Sequence, residues 1–309
     1  MMNTTESEMR HIGEIIDQEK QRDVRPLLTG VRFLDKILGG YYPGELTTIC
    51  GGEDSGKTAF VIKQLNLFAV DQHIPTLLVL HGMNTRSFLA SMVAYYCSIE
   101  TSNVHEVLNS VHRQEVADYL QMLSGAPLFV VEYKGDSNGR FIDMLQDMIL
   151  KHGIKIAFFD EAILYYSDEG RHVPGLMKML ALRMNIPVVA TCCTWNYREG
   201  PEGVKPSLID LSGYFEKIGS DVVLGMIKYE IFHIYEDEHG HDLHDMIALE
   251  ILKHKGRIVN RRCLMTWWDL YLRGSQGGST DSLPSQEEAA TGNATIKRLI
   301  DALDLQTDN

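Results

Sequence analysis

The run Leu46-Thr47-Thr48-Ile49-Cys50-Gly51-Gly52-Glu53-Asp54-Ser55-Gly56-Lys57-Thr58 decides the fold. Its first five residues are apolar or β-branched and read as a buried strand. Residues 51–58 match G-x-x-x-x-G-K-[ST] without a gap, and a helical pattern begins at Lys57. The glycines let backbone N–H groups curl round phosphate oxygens at a helix N-terminus, which favours anions. On this reading Gly51, Gly52, Glu53, Asp54, Ser55, Gly56, Lys57 and Thr58 form an ATP-binding loop. Lys57 sets a point charge beside the β- and γ-phosphates, and the Thr58 hydroxyl ligates Mg²⁺. A glycine-rich turn with no ligand is the competing reading.

A second metal-side residue is expected at the end of a buried strand. Ile156-Ala157-Phe158-Phe159-Asp160 lies about a hundred residues beyond the loop and supplies it: Asp160 holds Mg²⁺ directly or through water. Glu161 follows at once. An Asp-Glu pair can set a metal ligand and a water-activating base side by side, although Glu161 also reads as a plain surface carboxylate.

Outward from this pair the chain alternates. Strands are expected at 46–50, 76–80, 126–132, 154–160 and 186–193, and helices at 57–69, 85–97, 141–151 and 175–184. Continuous apolar strands alternating with helices imply an α/β fold, with a mostly parallel sheet and helices on both faces. Runs at 222–229, 246–252 and 263–267 read as a mixed-sheet extension with hairpins. This unit spans 28–272. Before it, 1–27 forms a docking or linker helix. Thr5 and Glu8 have capping-box spacing, and Met9, Ile12, Ile15 and Ile16 share one face. That face must dock on its own domain or on a neighbouring subunit. After it, 273–309 holds a linker rich in Gly, Ser, Gln and Thr, then a short helix with Ile296, Leu299, Ile300 and Leu303 on one side.

The chain has 309 residues, of which 44% are hydrophobic and 23% charged. That composition excludes disorder throughout. A net charge of −13 excludes nucleic-acid binding by bulk charge, so any DNA contact must come from local basic loops. The five cysteines are odd in number, without C-x-x-C spacing, and sit in apolar runs. They read as buried thiols in a reducing compartment. No secretory signal is evident and no apolar run is long enough to span a bilayer, so a cytoplasmic protein is expected.

Further stretches carry a family resemblance. Residues 29–40, Thr-Gly-Val-Arg-Phe-Leu-Asp-Lys-Ile-Leu-Gly-Gly, are followed by Pro43-Gly44-Glu45-Leu46 and the phosphate loop. Then come Leu80-His81-Gly82-Met83, Phe158-Phe159-Asp160, Asn185-Ile186-Pro187-Val188-Val189-Ala190, Gly219-Ser220-Asp221-Val222-Val223-Leu224 and Lys253-His254-Lys255-Gly256. In this order they resemble the RecA-like P-loop NTPase core of DnaB-type replicative helicases, shared with the RadA/KaiC group. The resemblance implies a homo-oligomeric ring, such as a hexamer, that burns ATP to move along single-stranded DNA in replication. It sets Lys255, with Arg257 close by, at the position of the finger that reaches into a neighbour's ATP site. The family's water-orienting Glu falls on Gly82, and its sensor Gln near Cys193. Glu161 is the candidate replacement base.

Two loops at the family's channel-facing positions correspond to 165–174 and 195–206. They hold Arg171, and Arg198 with Lys205, as candidate DNA contacts, with Trp195 and Tyr197 as candidate stacking rings. The 295–305 helix is a candidate docking point for a replication partner. The histidines around 233–244 read as a solvated hairpin rather than a metal cluster. Two further function readings stand beside the helicase motor. One is a nucleotide-gated assembly protein with little or no hydrolysis, suggested by Gly82 and Cys193. The other is a RadA/KaiC-like ATPase.

Overall fold

The computed structural model describes residues 11–21, 25–99, 106–107, 113–133, 140–161, 173–193, 219–236 and 240–266. In chain order these form α1 (Ile12–Gln21), α2 (Arg32–Leu38), β1 (Leu46–Gly51), α3 (Lys57–Leu65), β2 (Thr76–Leu80), α4 (Thr85–Tyr96), α5 (Gln114–Gly125), β3 (Leu128–Glu132), α6 (Arg140–His152), β4 (Ile156–Asp160), α7 (Val173–Met184), β5 (Val188–Cys193), β6 (Val222–Lys228), β7 (Met246–His254) and β8 (Arg257–Thr266).

The strands make one sheet in the order β3-β2-β4-β5-β1-β6-β7-β8. Neighbours from β3 to β6 run parallel; β7 and β8 add an antiparallel hairpin at the edge. The parallel strands need both faces covered, and alternate residues divide between two cores. Ile49, Leu78, Leu80, Ile156 and Phe158 face the side packed by α2, α3, α4 and α5. Leu46, Cys50, Leu77, Val79, Ala157 and Phe159 face α6 and α7 through Leu145, Ile149, Met177, Leu180 and Ala181. Fully burying each such Leu, Ile or Phe contributes roughly 1.5–3 kcal/mol, so the order of the sheet is set by many small terms.

This is the α/β sheet expected from the alternation, with three local differences. The helix expected over 57–69 leaves α-geometry after Leu65 and runs as a π-helical turn over Asn66–Asp71. Asn66 is buried; its Nδ2 donates to the Ile62 carbonyl, while its Oδ1 accepts from the Tyr119 hydroxyl. A side chain bonding back to the i−4 carbonyl loosens the helical ladder there. Helix α5 was not anticipated, although Val116, Tyr119, Leu120 and Leu123 carry helical spacing. Strand β8 starts at Arg257, six residues before the apolar run that signalled it. Arg261 and Arg262 hid its character, and Arg262 is in fact buried against Glu250 at 3.0 Å.

Helix α1 forms within the expected segment, while the capping pair Thr5 and Glu8 and the apolar Met9 lie outside the described residues; Ile12 is 63% exposed and Ile16 47% exposed. Among the described residues none covers this apolar face. Among the described residues no helix is long and apolar enough to cross a membrane.

Candidate nucleotide site

The phosphate loop leaves β1 at the centre of the sheet, at its C-terminal edge, where open α/β sheets bind ligands. Gly51 is obligatory: an added Cβ would meet the Met226 carbonyl at 2.6 Å. The loop then turns through Asp54 and Gly56, both at positive φ, into α3. Lys57 is 5% exposed, and its Nζ donates to the carbonyls of Gly51 at 3.2 Å and Gly52 at 2.6 Å. Ser55 is buried, and its Oγ has no hydrogen-bond partner. Glu53 and Asp54 are exposed.

Asp160 closes β4, two strands from β1. The Thr58 hydroxyl donates to its Oδ2 at 3.0 Å, and the Thr191 hydroxyl donates to its Oδ1 at 2.9 Å. Burial pushes the Asp160 carboxyl above its ordinary range; the bonds from Thr191 and Thr58 pull it back. A cation at this carboxylate would restore the charge that burial disfavours. A buried carboxylate, an adjacent hydroxyl, a lysine folded onto its own loop and the orphaned Ser55 hydroxyl together fit a Mg²⁺-nucleotide.

Glu161 follows Asp160 with φ at 51°, in the left-handed region, at a cost of about 1–2 kcal/mol for a residue with a Cβ. Its N–H donates to the Thr191 hydroxyl at 2.7 Å. Its carboxylate turns towards the end of β2, where Leu80 pairs with Asp160. An added Cβ at Gly82 would lie 3.9 Å from Glu161 Oε2. Gly82 has φ of 77°, so a glutamate there would sit in strained backbone. The sequence therefore brings Lys57, Thr58, Asp160 and Glu161 to one edge, and the carboxylate of Glu161 fills space beside residue 82.

Cys193 stands opposite Gly51 in the β1–β5 register. Burial raises its thiol, raises Cys192 to about 11, and raises Cys50 well above its ordinary value. All five cysteines are free, but only Cys50 and Cys192 are buried; Cys97, Cys193 and Cys263 are half-buried, so the buried-thiol reading holds for two of the five. No described group of His, Cys, Asp and Glu residues could hold a metal by itself.

Lys255 and Arg257 are not at this edge. They sit at the β7–β8 turn, beside the start of β1: His254 pairs with Val222, and Val222 pairs with Thr47. The phosphate loop is at the other end of β1, about 15–20 Å away at ~3.3 Å per residue. Neither residue serves the phosphate loop of its own chain. Lys255 instead lies 3.3 Å from Glu45 Oε1 and 4.2 Å above the Tyr42 ring centre, and Arg257 is exposed. Arg171, Arg198, Lys205, Trp195, Tyr197 and the 295–305 helix lie outside the described residues.

Sequence reasoning missed Thr191. Its one signal was a hydroxyl inside the otherwise apolar or thiol-bearing β5.

The strand order and the phosphate loop at its centre define a RecA-like P-loop fold. The DnaB-like helicase C terminal domain family matches residues 26–261, and the chain belongs to that family. The replicative DNA helicase DnaB of Treponema pallidum (strain Nichols) is 24% identical over 230 residues, covering 69% of this chain and 48% of that protein. A probable replicative DNA helicase of Guillardia theta is 22% identical over 187 residues, covering 56% of this chain and 31% of that protein. The chain thus spans about half, or less, of the length of these relatives. Among solved structures, the ATPase domain of G40P superposes with a TM-score of 0.63 at 16% identity, covering 81% of this chain and 92% of that one. A DnaB-like replicative helicase, described with its interactions with primase, superposes with a TM-score of 0.62 at 15% identity, covering 84% and 65%.

Proposed function

We propose that the chain is the ATP-hydrolysing motor of a DnaB-like helicase in DNA replication, working as a ring, such as a hexamer, on single-stranded DNA. The observation that carries this is the meeting of the Thr58 hydroxyl and the Asp160 carboxylate at 3.0 Å, from positions 102 residues apart. That pairing is what a Mg²⁺-ATP site requires of its protein.

On this reading Lys57 releases its two loop carbonyls and takes the β- and γ-phosphate oxygens. The loop N–H groups of 52–58 cradle the remaining charge. Thr58 and Asp160 would hold Mg²⁺, which neutralises charge between the phosphates when bound. Glu161 orients the attacking water and accepts its proton. Lys255 or Arg257 enters the ATP site of the adjacent subunit, consistent with its distance from its own. The exposed Ile12 and Ile16 of α1 are covered by a neighbouring subunit. Arg171, Arg198 and Lys205 contact DNA phosphates; a few contacts per subunit add up around a ring. The C-terminal 295–305 helix recruits a replication partner, with primase a candidate from the structural relative. The location is the cytoplasm.

A nucleotide-gated assembly protein with little turnover is the second reading, favoured by the backbone at Gly82, which has φ of 77° and no carboxylate of its own. Steady-state ATP hydrolysis with and without single-stranded DNA separates the two, with Lys57→Ala as the blank. DNA-stimulated turnover that vanishes in the blank supports the motor. Tight ATP binding with no turnover above the blank selects the assembly protein.

A further inference from the structure

We infer that Thr191 is the positioning residue of the site: one hydroxyl fixes both the metal-side carboxylate of Asp160 and the backbone turn that delivers Glu161. The inference rests on the nucleotide reading above and deepens it.

Thr191 lies at 0% exposure in β5, the strand between β1, which carries the phosphate loop, and β4, which carries Asp160. Its hydroxyl has a single proton, and the neighbours dictate where it points. The Glu161 N–H can only donate, so Thr191 Oγ1 accepts from it at 2.7 Å. The proton is then directed at Asp160 Oδ1, at 2.9 Å. The bond to Asp160 is buried and the one from the Glu161 N–H is half-buried, so losing the first leaves a buried carboxylate oxygen short of a donor.

The two bonds have separate consequences. The bond to Oδ1 anchors one oxygen of Asp160, leaving Oδ2 to face Thr58 on the phosphate side. Thr58 can let go of Asp160 when a cation arrives, while the buried Thr191 hydroxyl keeps its bond to Oδ1. The bond from the Glu161 N–H holds the peptide that carries Glu161 in its left-handed turn, at φ 51°. The amide of His81 adds a third tether, donating to the Asp160 carbonyl at 3.2 Å. The turn brings the Glu161 carboxylate beside Gly82, where an added Cβ would be 3.9 Å from Oε2. The water-activating carboxylate is therefore supplied from β4 instead of from the end of β2, and Thr191 is what locks β4 into that arrangement. A bond to the group behind a metal ligand typically changes metal affinity or activity by about 10–100-fold when removed.

Three substitutions in the full chain test this: Thr191→Val, which keeps the shape and loses the hydroxyl; Thr191→Ala, which loses both; and Thr191→Ser, which keeps the hydroxyl. Two readouts are taken. The first is the affinity for a fluorescent ATP analogue with and without Mg²⁺. The second is kcat against KM for ATP. We expect Mg²⁺ to tighten the analogue in the wild type and Thr191→Ser, and to lose about tenfold or more of that effect in Thr191→Val and Thr191→Ala. Metal-free affinity should stay the same in all four. We expect kcat to fall about 10–100-fold in the Val and Ala variants with KM little changed, and to recover in Ser. Retention of both the Mg²⁺ effect and kcat in Thr191→Val overturns the inference. So does unfolding of both Val and Ala variants beside a folded Ser, because the hydroxyl would then be a structural bond. A wild type without Lys57-dependent turnover sinks the motor reading alone, since the Mg²⁺ readout still decides the role of Thr191.

Discussion

Lys255 Nζ lies 3.3 Å from Glu45 Oε1, within the same chain, at the end of the sheet remote from the phosphate loop. Glu45 is held by the turn that leads into β1, and the Tyr42 ring backs the same ammonium. The lysine is half exposed, so the ion pair is a weak tether that a better anion can displace. The first prediction follows from that position.

If, as proposed, the group acts on a neighbour's site, Lys255→Ala should bind ATP with unchanged affinity and lose turnover. Fingers of this kind are worth about 10³–10⁵ in rate when arginine. Mixing Lys255→Ala with Lys57→Ala should restore part of the activity, since some interfaces then combine an intact loop with an intact finger. Mixtures no more active than either parent would place Lys255 outside the reaction. Lys255→Arg should raise kcat, because the planar fork can take two phosphate oxygens where ammonium meets them as a point charge.

Glu161→Gln keeps the shape of the side chain and removes its basicity. Turnover should fall by about 10²–10⁴-fold while nucleotide affinity stays, as expected for loss of a general base. Single-turnover hydrolysis of ATP is the measurement. An unchanged rate would leave Glu161 as the plain surface carboxylate of the competing sequence reading.

Asp160 gives a pH prediction for the metal-free chain. Its carboxyl is raised in the folded state, chiefly by burial, above the ordinary value of 3.8. Between the ordinary value and the raised one, the folded chain holds a proton that the unfolded chain has lost. The stability linked to this group therefore falls as pH rises through that window, and the penalty is fully present above it. Asp160→Asn removes the penalty. In EDTA its melting temperature should match or exceed that of the wild type at pH 7, and the advantage should shrink as pH falls towards 4. Added Mg²⁺ with nucleotide should stabilise the wild type and not the variant. A variant that melts lower than the wild type at pH 7 and equally low in acid would contradict the desolvation argument.

The DNA reading depends on three cations. Arg171→Ala, Arg198→Ala and Lys205→Ala together should weaken binding of single-stranded DNA uniformly across sequences. They should also flatten the dependence of affinity on salt, because each removes a phosphate contact. Fluorescence anisotropy with a labelled oligonucleotide over a salt series measures both. An unaltered salt slope would return these loops to ordinary solvated surface.

Much of the fold was legible because its signals are local. The strand-loop-helix run at 46–58 states its own phosphate chemistry, and strand β2 matches the apolar run 76–80 residue for residue. The alternation of apolar runs with amphipathic helices was enough for a covered parallel sheet. Elements whose periodicity was broken by charge were less legible. Strand β8 carries Arg257, Arg261 and Arg262, and the buried partner Glu250 on β7 helps make Arg262 tolerable inside a strand.

The sequence by itself determined the chemistry available: a P-loop lysine and hydroxyl, an acid closing a buried strand, a carboxylate next to it, and a glycine just beyond strand β2. Those are properties of residue type and short-range spacing. Tertiary structure alone decided which of these groups meet. The order β4-β5-β1 puts Asp160 within reach of Thr58, and β5 between them supplies Thr191 to both Asp160 and Glu161. The antiparallel β7–β8 hairpin carries Lys255 to the far end of β1. Spacing along a chain says nothing of which strand edges align, because register is set by packing on both faces of the sheet at once.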